Sequence, residues 1–88
     1  MRVPMIAGNW KMYRTAREAS QTIRTLRGLV GEVTDVDVVV CPPFTAMPAA
    51  LEAASGSRIG IGAQDCHWEK EGAYTGEVAV PMLVDLGC

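Results

Sequence analysis

Nothing in these 88 residues approaches the roughly 20 consecutive apolar residues that a membrane span needs, and the apolar run within Met1 to Gly8 is too short for a secretory signal. A soluble, untargeted protein is expected. Cys41, Cys66 and Cys88 are odd in number, widely spaced and without a C-x-x-C pair, so neither a disulfide framework nor a zinc ribbon is implied. Reduced thiols in the cytoplasm fit that pattern. Positive charge is not in excess: the formal net charge is −2 and the isoelectric point near 5.2, which argues against a general affinity for nucleic acid or an anionic membrane. A small molecule or another protein chain is the expected partner. His67 is the only histidine and no serine sits in a nucleophile elbow, so a self-contained nucleophilic triad finds no support. Lys11 and Lys70 lack the G-x-x-x-x-G-K context of a phosphate loop. Gly60-Ile61-Gly62 starts like a dinucleotide loop, but Asp65 occupies the third glycine position and the pair lies inside a strand pattern.

What is present is a chain that buries a core, with 49% hydrophobic residues and no repeat or linker to divide it. Val3 to Gly8 reads as a buried strand. Thr15-Ala16-Arg17-Glu18 then matches a capping box, so a helix starts there. Ala16, Ala19, Ile23, Leu26 and Val30 recur at helical spacing on one side, while Arg14, Arg17, Arg24 and Arg27 fall on the other as a solvated outer face. Val36 to Cys41 is a Val-rich run read as a central parallel strand buried on both faces, stopped by Pro42-Pro43. Ala46 to Ala54 supports a short helix closed by Gly56, and Arg58 to Ala63 a third strand. Gln64 to Glu77 is a long polar loop; Pro81 to Leu86 opens a helix with Pro81 first and Gly87 as its C-terminal cap. The β-α-β-α-β-(α) order implies right-handed crossovers in a parallel sheet with outer helices, either doubly wound or part of a barrel. Ligands of both architectures lie at the C-terminal strand ends.

That rule directs attention to Ile6-Ala7-Gly8-Asn9-Trp10-Lys11-Met12, an apolar strand whose end suddenly carries an amide, an indole and an ammonium group. Strand side chains alternate faces, so Asn9 and Lys11 are expected to point one way, as donors to an oxyanion or phosphate, while Trp10 anchors the other face. Spacing alone also fits a strand leaving the core with Lys11 merely solvated. Cys66-His67 offers two adjacent potential metal ligands without a second pair, so a loop role is expected and no metal. Glu69, Glu71 and Glu77 are read as solvated.

Ala7-Gly8-Asn9-Trp10-Lys11-Met12 resembles the N-terminal signature of the triosephosphate isomerase family, and Gly72-Ala73-Tyr74-Thr75-Gly76-Glu77 its third barrel loop. The strand ending in Cys41-Pro42-Pro43, the Gly62-Ala63-Gln64-Asp65 segment and Leu83-Val84-Asp85-Leu86-Gly87-Cys88 follow in the family's order, so the resemblance spans essentially the whole chain. It implies a (β/α)₈ TIM barrel, of which residues 1–88 form the N-terminal third of a single domain. It further implies interconversion of dihydroxyacetone phosphate and glyceraldehyde 3-phosphate through an enediolate, without a cofactor. By the same match, Asn9 and Lys11 contact a small phosphorylated triose, Lys11 with a catalytic role, and Thr75 sits on a loop that enters the partner subunit of a homodimer to support its Asn9 and Lys11. The family is a standard illustration of a glutamate base paired with a neutral histidine beneath a closing loop. None of those parts matches a residue here, His67 included, so the 88-residue chain alone is expected to be inactive. An associating, non-catalytic chain and another phosphate-binding barrel are the alternatives. Val80 before Pro81 departs from the family's frequent serine cap, so a weakly started last helix is expected.

Overall fold

A computed structural model describes residues 2–88. Three strands, β1 (Met5–Asn9), β2 (Asp37–Cys41) and β3 (Ile59–Ile61), pair in parallel in the order β1-β2-β3. Helix α1 (Ala16–Val30) crosses from β1 to β2; a 3-10 turn over Phe44–Ala46 and helix α2 (Met47–Ala54) cross from β2 to β3, and α3 (Val80–Leu86) follows the long loop. The parallel α/β order is therefore as expected. Strand register sets Met5 opposite Asp37 and Asn9 opposite Cys41, and Val38 and Val40 opposite Ile59 and Ile61. The carboxyl ends of β1 and β2 thus finish level, and β3 ends one step earlier.

The start of α1 follows from its sequence. Thr15 Oγ1 accepts the Glu18 N–H at 3.2 Å and the Glu18 carboxylate accepts the Thr15 N–H at 2.9 Å, so two otherwise free donors are satisfied reciprocally. The Thr15 backbone and hydroxyl, with the Arg14 guanidinium a lesser influence, hold the Glu18 carboxyl below the usual glutamate range. Helix α3 stops on Gly87 at φ +102, a left-handed cap that only glycine adopts without cost. The start of α3 lies one residue earlier than the proline suggested. Val80 is its first residue, Pro81 its second, and the capping position falls on Ala79, which has no side-chain oxygen to offer.

Ile23, Val40, Met47, Ala50, Ala53, Ala54, Ile59, Ile61 and Leu83 form the core between the sheet and its helices. Ile23 and Met47 are fully buried, each contributing about 1.5–3 kcal/mol of transfer free energy. The small side chains of α2 let α1 lie close against it. On the sheet's other face, Gly60 and Gly62 leave room for their neighbours: a Cβ on either would meet Val39 Cγ2 at 3.3 Å or Cys41 Sγ at 3.2 Å.

Three expectations need correction. Strand β1 is not buried, with Met5 and Ile6 59% and 63% exposed, because among the described residues it pairs on one edge only and little packs over it. Within β2 only Val40 is buried; Val38 and Val39 are half-covered. Arg27 is not a solvated outer-face residue either. Its Nη1 donates to the carbonyls of Ala53 and Ser55, both at 2.8 Å, so it crosses from α1 to tie down the last turn of α2.

Candidate functional site

Strand geometry stops at Asn9. The pleat was expected to carry on and place Lys11 beside Asn9, but the chain turns instead, with Lys11 in the left-handed region at φ +56. The Asn9 side chain makes that turn: its Oδ1 accepts the Lys11 N–H at 2.9 Å, bridging two residues as an asparagine at a turn commonly does. Asn9 and Lys11 are therefore brought together by an Asn-closed turn, not by alternation. Trp10 still takes the opposite side, packing against the core above Gly8, where a Cβ would lie 3.8 Å from the indole nitrogen.

A left-handed lysine costs about 1–2 kcal/mol relative to an ordinary conformation, so the surroundings must hold it. Gln64, just beyond β3, does so. Its Nε2 donates to the Lys11 carbonyl at 2.8 Å and to the Cys41 carbonyl at 2.9 Å, while the Trp10 N–H donates to the same Cys41 carbonyl at 3.1 Å. One amide thereby joins the ends of all three strands. The sequence reading did not single out Gln64. Its position directly after a strand that ends at the ligand-binding edge was the available signal.

Two open hollows of about 300 Å³ each flank the turn, one lined by Lys11, Met12, Pro43, Phe44, Gln64 and Asp65, the other by Asn9, Trp10, Lys11, Tyr13, Arg14 and Thr22. A more enclosed cavity of about 230 Å³ lies at the opposite, amino edge of the sheet, where Arg27 and Arg58 meet Val30, Val38 and Ile59. The latter has cations but also the carbonyl-bearing ends of α1 and α2, which oppose an anion there. Arg27 is already spent on two of those carbonyls and Arg58 on Thr34. The candidate site is therefore the carboxyl edge, where among the described residues the Lys11 ammonium has no such competing carbonyls in hydrogen-bond contact.

Thr75 is exposed on the loop after β3, in a turn closed by the Glu77 N–H on the Tyr74 carbonyl at 3.0 Å, and lines neither hollow. His67 stays apart as well. Its backbone pairs with Val78 and Ala79, and its ring stacks on Trp68 at 4.9 Å and tilts against Tyr74 at 4.3 Å, with the buried Nε2 left without a partner. Glu69, Glu71 and Glu77 are exposed, in keeping with the solvated reading. No described helix is long and apolar enough to cross a membrane.

A parallel β-α-β-α-β unit with outer helices and a cationic turn at its carboxyl edge fits the opening portion of a TIM barrel, and the comparison with solved structures decides for it over a doubly wound sheet. Among solved structures, the triosephosphate isomerase of Bartonella henselae superposes with a TM-score of 0.88 at 31% identity over 98% of this chain and 35% of that one. A sequence profile described as triosephosphate isomerase matches residues 4–88. The triosephosphate isomerases of Moorella thermoacetica and Chloroflexus aurantiacus are 61% and 52% identical over all 88 residues. This chain belongs to the triosephosphate isomerase family. It spans about a third of the length of the curated relatives it matches, 35% in both of those cases.

Proposed function

We propose that residues 1–88 act as the N-terminal third of a single (β/α)₈ domain that interconverts dihydroxyacetone phosphate and glyceraldehyde 3-phosphate in the cytoplasm, without a cofactor. The observation that carries this reading is the left-handed Lys11, held at the carboxyl edge by Asn9 below it and Gln64 beside it. A proton leaving the substrate carbon leaves negative charge on oxygen as the enediolate forms. The Lys11 ammonium balances that charge and the substrate phosphate, and Asn9 both shapes the turn and offers its amide N–H groups to the substrate. The base and the proton-shuttling electrophile come from the remainder of the barrel. Thr75, exposed on its loop, reaches the partner subunit of a homodimer and supports that subunit's copies of Asn9 and Lys11.

In the complete barrel, Lys11→Ala is expected to lower kcat/KM by about 10²–10³ while the melting temperature stays within about 2 °C. Kinetics unchanged within twofold would remove Lys11 from the mechanism. The second reading, association without catalysis, draws on the exposed edge of β1 and on Trp68, 86% exposed on the long loop. It describes the 88-residue chain taken alone, for which no turnover is expected; isomerase activity in that purified chain would overturn this.

A further inference from the structure

We propose that Gln64 is a positioning residue for Lys11, acting within the isomerase site and resting on that reading. Among the described residues, hydrogen bonds hold only the backbone of Lys11: its N–H by Asn9 Oδ1 and its carbonyl by Gln64 Nε2. The direction of the long side chain is then set by the turn, because the Cα–Cβ bond follows φ. Asn9 fixes one side of the residue. Without Gln64 the other side is free, and Lys11 can relax out of its left-handed conformation, swinging the ammonium away from the substrate. The same Nε2 binds the Cys41 carbonyl, which is the last acceptor of the β1–β2 ladder, so the turn is referenced to the rigid sheet and not to a loop. Both partners of the side-chain nitrogen are carbonyls, which fixes the amide with its nitrogen toward them. Gln64 also borders the hollow beside Lys11. Its influence on the substrate nevertheless passes through the lysine.

A double-mutant cycle in the complete barrel tests this, using wild type, Gln64→Met, Lys11→Ala and the double variant. Gln64→Met keeps the volume and removes both donors. With Lys11 present it is expected to lower kcat/KM by about 10- to 100-fold, the scale of a group displaced by an ångström. In the Lys11→Ala background the same change is expected to cost less than about twofold. An equal loss in both backgrounds, or no loss in the first, would overturn the positioning role while leaving Lys11 in the site. If Lys11→Ala itself has wild-type kinetics, the site reading fails first, and the positioning role with it. Where turnover of the Lys11 variants is too slow to follow, calorimetric binding of inorganic phosphate by the same four proteins supplies the cycle. Gln64→Glu, equal in shape but presenting oxygen to two carbonyls, replaces Gln64→Met should the latter fail to fold, with a loss at least as large expected. Gln64→Asn, which keeps the donors on a shorter stem, is expected to fall between wild type and Gln64→Met.

Discussion

The two edges of the sheet use the same device for different ends. At the carboxyl edge one amide, Gln64, gathers two carbonyls from separate elements; at the amino edge one guanidinium, Arg27, gathers two from the end of a single helix, those of Ala53 and Ser55. The difference lies in the backbone that each tie secures. Beside Arg27 the left-handed position is filled by Gly56 at φ +79, so the chain turns there without strain. Beside Gln64 it is filled by Lys11, although glycine would be the relaxed choice. Strain kept where a glycine would remove it marks a position at which the side chain is needed. On the proposed function, the amino edge serves stability and the carboxyl edge chemistry.

The sharpest way to break that contrast is to exchange the effects. Lys11→Ala is expected to lose activity and keep stability, as given above. Arg27→Met in the complete barrel is expected to do the reverse: about 2–3 kcal/mol lost in urea unfolding at fixed protein concentration, from two charge-assisted bonds, with kcat/KM within about twofold of wild type. A comparable loss of activity would show that the two edges are coupled. Smaller in stability is Lys11→Gly, which relieves the left-handed strain but loosens the unfolded chain. A net gain of about 0.5 kcal/mol is expected alongside the loss of activity, and a clear destabilisation would show that the turn is not strained.

The smallest effect concerns Glu18, whose carboxyl titrates lower in the folded chain than in the unfolded one. Such a group stabilises the fold above its unfolded pKa, and that contribution disappears as pH falls through the folded value. Wild type is therefore expected to exceed Glu18→Gln in stability at pH 7, with the difference shrinking as pH falls below the unfolded glutamate pKa and lost once it has passed the lower, folded one. A difference that persists unchanged at low pH would assign the capping box to geometry alone.

Local patterns were legible in the sequence and long-range ties were not. The capping box at Thr15 and the glycine cap at Gly87 each depend on residues a few positions apart, and the parallel strand order follows from locally read elements under the general crossover rule; the structure has all three. The turn at Lys11 was misread as a continuing strand because alternation assumes an unbroken pleat, and Asn9 breaks it with its own side chain. Gln64 reaches Lys11 across 53 positions, and Arg27 reaches Ala53 across 26. Spacing carries no signal at that separation. An arginine counted among solvated neighbours on a helical wheel differs from them only through what the next helix presents to it.

The two tryptophans convert this division into an optical one. Trp10 is half-buried at the end of β1, one residue from Lys11, whereas Trp68 stands in solvent on the long loop. Of these two, Trp68→Phe therefore leaves only Trp10, beside the proposed site, emitting to the blue and shielded from iodide. Trp10→Phe leaves Trp68, which emits to the red and is readily quenched. Occupancy of the Lys11 turn and docking of the loop onto a partner can then be followed separately, by colour and quenching.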